Sequence, residues 1–479
     1  MDNGVTETRA GAAALLVVVV SGCAWLTPAT GAGTRTPRPI STATRPAVRR
    51  TPFGPLSPTA TSPAPIQDAT QPAVWPPPNS YGRWGPPAID IPPPATPFAF
   101  PPGTLNLLLL GSDRRTGSGF RTDTIVLASI ETAAKKVVLV SFPRDLYVYL
   151  PGNSISRINT AWIYGQSLHY PGGGPQLLMD TIRYNFGVPV DRYALVEMDG
   201  FQRIVDALGG IDVRVACPYT DWRLREPGLP EQRPSSWHLF TVLPGILHMD
   251  GDEALWYARA RQHSTDFDRT RRQQEVLRAA YREALRPEVL ARIPDLYQLL
   301  RDSVVTNLTL DDILALAPFA AQLGPVDLRS RFIGRDQVRS WRVPSSGAAV
   351  LLPDGDAIRR LLADAFAPAP DPAIDSRPTS VEIVPGRNAE LDRLAQERLL
   401  YAGVEAVVTQ GPSSEESSTR VMTGAEVPRE EVALVLRVLG LPDSAARLDS
   451  EGTPPRAIRI RIGQDYRPCF DPARLTSSP

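Results

Sequence analysis

From residue 104 onward the chain moves between two hydrophobic patterns. Thr104–Leu110 is a short apolar run closed by Gly111, which predicts a buried strand. "DTIVLASI" and "KKVVLVSF" predict two more strands. "YALVEMD", "GFQRIVDALGG" and "IDVRV" then read as strand, helix with a Gly-Gly stop, and strand. "RPEVLARIPDLYQLL" and "TLDDILALAPFAAQL" have the spacing of amphipathic helices, and "DGDAIRRLLADAF" ends this domain at residue 366. Alternating helices and strands predict an α/β class with a central sheet. Residues 367–378 form a Pro-rich linker. After it, "SVEIVPG", "NAELDRLAQERLLYAG", "VEAVVTQG", "REEVALVLRVLG" and "RAIRIRIGQDY" predict a small β-α-β-α-β domain over 379–470.

Before residue 103 neither pattern holds. "AAALLVVVVSGC" is an apolar run shorter than the roughly 20 residues that span a bilayer. It fits the core of a secretory signal, and "VSGC" resembles a lipobox with Cys23 as the lipidated residue. An uncleaved membrane anchor over 1–26 is the alternative. Both readings place the rest of the chain outside the cytoplasm, anchored to the membrane by its N-terminus. Residues 27–102 are rich in Pro, Thr and Ala and predict a disordered tether.

Composition narrows the function. Lys+Arg and Asp+Glu are 51 each, so any cationic site is local. Neutral charge, an export signal and the lack of a helix-turn-helix argue against a nucleic-acid partner. Three cysteines, Cys23, Cys217 and Cys469, have no metal-ligand spacing. Cys217 and Cys469 are open to pairing in an oxidising compartment, but their separation in sequence is silent on whether they meet. Walker, dinucleotide-binding and HExxH motifs are absent from the sequence.

The candidate chemistry sits at predicted strand ends. Asp113 and Arg114 follow the first strand, Arg121 and Asp123 lead into the second, and Arg144 and Asp145 follow the third. Ligands of open α/β sheets bind at strand ends. Paired carboxylates suit a divalent cation, and the arginine fork suits phosphate. Ordinary loop salt bridges are the competing reading. The run "YARARQHSTDFDRTRRQQEVL" (257–277) adds a dense set of arginines. A helix starting near Asp266–Asp268 places Arg269 and Gln273 on its protein-facing stripe. On that spacing Arg271, Glu275, Arg278 and Arg282 form a solvated face, and Arg272 is undecided. A strand through "YARAR" would point Arg259 and Arg261 to one side. His263 reads as a surface residue.

"NLLLLGSDRRTGSGFRTDTIVLASI", "KKVVLVSFPRDLYVYLPG", "RINTAWIYG", "YALVEMDGFQRIVDALGGIDV" and "LHMDGDEALWYARARQHSTDFDRTRRQQEVL" together resemble the LytR–CpsA–Psr family over residues 104–366. The C-terminal segment resembles the LytR C-terminal domain. The resemblance implies an α/β/α sandwich with a central mixed sheet. It also implies an extracytoplasmic phosphotransferase that moves a glycopolymer from an undecaprenyl-pyrophosphate carrier onto peptidoglycan, with Mg2+ as cofactor. Motif by motif, Asp113 and Asp123 fall on metal-associated positions, and Arg121, Arg144, Arg259, Arg261, Arg269 and Gln273 on the pyrophosphate set. Asp266 falls on a catalytic-base position. Arg157 stands where the family often has lysine, and its substrate-binding role is in question for that reason. Asp268 stands where the family commonly has glycine, and whether a carboxylate there competes with phosphate for Arg269 is left open by the resemblance. A polyprenyl-pyrophosphate hydrolase and a non-catalytic wall-binding or regulatory protein are the alternative readings.

Overall fold

The computed structural model describes residues 75–82, 84–112, 121–226, 228–230, 232–262, 264–286, 289, 303–320, 322–323, 327–367, 379–402, 404–413, 416–449 and 452–469. The signal or anchor segment with Cys23, the loop with Asp113, His263 and most of the predicted 286–300 helix lie outside these residues.

The first three strands are β1 (Thr104–Ser112), β2 (Thr122–Glu131) and β3 (Lys136–Ser141). A small hairpin of β4 (Tyr147–Tyr149) and β5 (Ile155–Arg157) leads to α1 (Ala161–Ser167) and α2 (Gly173–Phe186). Next come β6 (Arg192–Glu197), α3 (Met198–Leu208) and β7 (Ile211–Val215). The hairpin β8 (Tyr219–Leu224)–β9 (Trp237–Val242) and β10 (Gly245–Met249) precede α4 (Gly251–Arg259) and α5 (Asp266–Ala284). The domain closes with β11 (Val304–Thr306), α6 (Leu310–Ala320), β12 (Leu328–Phe332), the hairpin β13 (Val338–Arg342)–β14 (Ala349–Pro353) and α7 (Gly355–Phe366).

The central sheet runs β11-β6-β1-β2-β3-β12 and is mixed. β1 is antiparallel to β2 and parallel to β6, while β3 is antiparallel to β2 and parallel to β12. Strand side chains alternate between faces, so the long apolar runs feed two cores. Leu107, Val126, Ala128, Val137 and Leu139 pack with residues of α3, α4 and α5 on one face. Leu108, Ile125, Leu127, Val138 and Val140 pack with α1, α2 and α7 on the other. The α/β/α sandwich with a central mixed sheet is therefore the observed fold.

Residues 75–102 differ from the expected tether. They lie along the domain, with Ala95 N donating to Tyr184 O (2.7 Å) and Phe98 N to Gly187 O (2.8 Å). Phe98 and Phe100 pack edge-on to Phe366, and Trp75 to Tyr184. Gly187 closes α2 in the left-handed region, and a Cβ there would strike the Thr96 carbonyl. The apolar residues of this stretch are spaced too widely for helical or strand periodicity. They anchor one at a time onto a surface built elsewhere.

The C-terminal domain has five strands rather than three. β15 (Ser380–Val384), α8 (Ala389–Tyr401), β16 (Ala406–Val408), β17 (Arg420–Thr423), α9 (Arg429–Leu439), β18 (Ala446–Leu448) and β19 (Ala457–Arg461) form a sheet ordered β16-β15-β19-β17-β18. It has its own core around Ile383, Leu399, Val435 and Ile460. Several connections hold it to the preceding domain, the Arg329–Glu405 ion pair (3.0 Å) among them. Cys217 and Cys469 form a disulfide across Cα atoms 4.4 Å apart. Glu397, on α8, is ion-paired to Arg214 (3.0 Å), Arg278 (3.0 Å) and Arg282 (3.3 Å). Arg278, expected on a solvated face, is thus 2% exposed, and Glu275 is buried beside it. Helical spacing places these side chains on one face, and the domain that covers that face comes from far along the chain.

Candidate active site

The site is built where α5 begins. Thr265 caps the helix in a reciprocal capping box with Asp268. The Thr265 N–H donates to Asp268 Oδ2 at 2.9 Å and the Thr265 hydroxyl does so at 2.8 Å. Burial acts to raise the Asp268 pKa, but these bonds together with Arg271 and Arg272 hold it below the usual range. The Asp268 carboxylate is thus bonded to Thr265 at the helix start rather than to Arg269.

One turn in, Arg269 is 3% exposed. Its Nη2 lies 3.0 Å from Asp266 Oδ1. Its Nε and Nη1 have no hydrogen-bond partner among the described residues. Burial, with Arg144 nearby, pushes the guanidinium down to about 10. A buried cation left this incompletely matched is costly unless something anionic completes it.

The strand ends supply the other side. Arg144, just after β3, donates from Nη1 to Asp123 Oδ1 at 2.7 Å, and its Nε is 3.5 Å from Asp145 Oδ2. Burial would lower the Arg144 pKa, but Asp123, Asp145 and Asp266 outweigh it and raise it. Arg157 Nε lies 3.2 Å from Asp145 Oδ1, and its Nη2 donates to Ala349 O at 2.7 Å. The Asp266 carboxyl bears directly on that of Asp145. Burial pushes the Asp145 carboxyl up, and Asp266 pushes it further, against Arg144 and Arg157. The result is a chain of charged groups, Asp123–Arg144–Asp145 and Asp266–Arg269, with the Asp145 and Asp266 carboxyls adjacent, that joins β2, the loop after β3 and the start of α5. A cleft of about 520 Å³ opens on Asp145 and Asp266, with both strands of the β13–β14 hairpin as its wall.

Other expected residues fall differently. "YARAR" ends a helix instead of forming a strand, so Arg259 and Arg261 do not share a face by alternation. Both are exposed. Arg261 still bears electrostatically on Arg269, while its backbone N–H is taken by Asp221 Oδ2 at 2.5 Å. Arg121 is exposed just before β2, and Gln273 is half-buried. The fully buried amide is its neighbour Gln274, which donates to Ser141 Oγ at 2.6 Å. Arg272 is structural: it donates to the Tyr257 and Ala260 carbonyls and lies 4.1 Å over the Tyr219 ring, clamping α4 to α5. Asp145 belongs to the site although the sequence marks it only as the neighbour of Arg144 in "SFPRD".

The class is an α/β/α sandwich on a central mixed sheet, with arginines and carboxylates gathered where β2, the loop after β3 and the start of α5 meet. The LytR_cpsA_psr family model matches residues 99–342, and the chain belongs to that family. The polyisoprenyl-teichoic acid–peptidoglycan teichoic acid transferase TagU of Oceanobacillus iheyensis is 31% identical over 214 residues, 44% of this chain and 61% of that protein. The regulatory protein MsrR of Staphylococcus aureus (strain COL) is 31% identical over 209 residues, 43% of this chain and 57% of that protein. The match thus spans about three-fifths of these relatives' length. Among solved structures, B. subtilis TagV is similar at 24% identity, covering 56% of this chain and 98% of that one, with a TM-score of 0.44. TagT bound to LI-WTA is similar at 24% identity, covering 57% and 94%, with a TM-score of 0.42.

Proposed function

We propose that this protein is an extracytoplasmic phosphotransferase that moves a glycopolymer from a polyprenyl-pyrophosphate carrier to peptidoglycan through a phosphodiester bond. The observation that carries this reading is Arg269, a buried guanidinium with two nitrogens, Nε and Nη1, unmatched among the described residues. A pyrophosphate oxygen would complete it, with Arg144 and Arg157 adding charge beside the same carboxylates. The TagU relative is named as a teichoic acid transferase, which agrees with this reading. The disulfide supports an oxidising compartment. No helix among the described residues is long and apolar enough to cross a membrane, and attachment by the N-terminal segment, through Cys23 or an anchor, remains part of the proposal.

In the reaction, the acceptor hydroxyl oxygen attacks the phosphorus that bears the polymer. A new P–O ester bond forms and the bridging P–O bond breaks, its electron pair leaving with the polyprenyl monophosphate. The hydroxyl proton passes to the Asp266 carboxylate, which Arg269 orients at 3.0 Å. Asp123 suits one metal ligand: Arg144 takes its Oδ1, and its second oxygen is a hard donor. Asp113 would be the other ligand. Mg2+ held there would neutralise charge on the pyrophosphate oxygens.

Labelled lipid-linked polymer incubated with peptidoglycan tests the reading. Asp266→Asn is expected to slow transfer about 100-fold or more with an unchanged unfolding curve, and EDTA is expected to suppress transfer by wild type. Polymer released to water in place of attachment would assign a hydrolase. Binding without turnover would assign a regulatory protein.

A further inference from the structure

The cleft that opens on Asp145 and Asp266 is lined by neither Arg144, Arg157 nor Arg269, the arginines assigned to pyrophosphate. Its floor is two carboxyl groups, which accept hydrogen bonds from hydroxyls. Its wall is Ser340, Trp341 and Arg342 on β13, facing Ala349, Val350 and Leu351 on β14. We propose that this cleft is the acceptor subsite, and that it holds an amino-sugar unit of a glycan strand with Trp341 as the stacking platform.

The proposal rests on the transferase reading above and says where its second substrate lies. Four observations carry it. The volume, about 520 Å³, falls within the range of small-molecule sites, roughly 300–1,000 Å³. The wall offers an indole, a hydroxyl and a guanidinium, the mixture of apolar face and polar rim that a sugar ring presents in complement. Asp266, the proposed base, lies on the floor, so a hydroxyl of a sugar stacked on Trp341 would lie towards the carboxylate that takes its proton. Finally, the hairpin is fixed to the site. Leu351 N donates to Asp145 O at 3.0 Å, Leu146 and Leu351 form a parallel bridge, and Arg157 holds the Ala349 carbonyl. Trp341 itself is half-buried against Tyr147, ring centroids 5.8 Å apart. A rigidly mounted aromatic beside the base suits positioning of an acceptor.

The test uses the full chain, a lipid-linked polymer as donor and a tetrasaccharide of alternating N-acetylglucosamine and N-acetylmuramic acid as acceptor. Trp341→Ala is expected to raise the acceptor KM about tenfold with kcat changed less than threefold, and Trp341→Phe to recover most of the loss. The Kd for farnesyl pyrophosphate, a probe of the donor side, is expected to move less than twofold. An unchanged acceptor KM in Trp341→Ala overturns the proposal, as does a loss that appears in farnesyl pyrophosphate binding instead. If the chain transfers nothing, saturation-transfer NMR with the tetrasaccharide alone still decides. Binding by wild type that Trp341→Ala abolishes supports the subsite even as the transferase reading fails; no binding by wild type at millimolar sugar overturns it.

Discussion

The two ends of α5 carry the same residue type in opposite conditions. At the C-terminal end, Arg278 is 2% exposed, and its Nε reaches Glu397 Oε1 at 3.0 Å while Nη1 reaches Leu328 O at 2.7 Å. Arg282 and Arg214 converge on the same carboxylate. Burial alone would push Glu397 up, but the three arginines outweigh it and hold it below the usual range. At the N-terminal end, Arg269 is as deeply buried but is ion-paired to one carboxylate, Asp266, and has two nitrogens, Nε and Nη1, unmatched among the described residues. Burial alone does not separate a structural arginine from a ligand-binding one. The count of satisfied donors does, because an interior cation with its partners in place has little left to offer a substrate.

The contrast is broken most severely by removing Glu397. Glu397→Ala leaves three arginines at the domain interface without their carboxylate and is expected to cost about 3–5 kcal/mol in urea unfolding at neutral pH. Transfer by the fraction that stays folded is expected to remain near wild type, which would separate the interface from the site. A smaller effect sharpens the N-terminal end. Asp268→Ala removes half of the capping box and is expected to cost about 1 kcal/mol. Because Asp268 is held below its ordinary pKa, its contribution is present above pH of about 3.9 and is lost as pH falls through the lowered folded value. Unfolding curves of wild type and Asp268→Ala should therefore differ at pH 6 and converge near pH 2. A gap that widens on acidification would contradict the capping role.

Much of this was legible in the chain, and the misses share a cause. The apolar runs of β1, β2 and β3 gave the sheet, since alternation along a strand feeds both faces. Arg144, Asp123, Asp266 and Arg269 were identified from strand-end and helix-start positions, and they do meet. Arg278 was misplaced because helical spacing says which side a residue lies on, not what arrives to cover it; Glu397 comes from 119 residues further along. Asp268 looked like a departure with consequences for phosphate, yet its bonds are local and hold the helix start. Arg259 and Arg261 were grouped on a strand that is in fact the end of α4. Asp145 needed the hairpin: only when β14 docks on its carbonyl does the cleft over its side chain exist. The Cys217–Cys469 pairing follows from how the C-terminal domain returns, which no spacing encodes.

The most direct measurement is the affinity of Arg269→Met for farnesyl pyrophosphate, set beside its stability. An unmatched buried cation that exists to bind phosphate should be removable without loss of stability, and its charge-assisted bonds to the ligand should be worth about 1.5–3 kcal/mol. The account predicts Kd weakened by roughly 10- to 100-fold and an unfolding midpoint equal to or above wild type. Wild-type affinity in Arg269→Met, or a variant that binds weakly only because it unfolds, would contradict it.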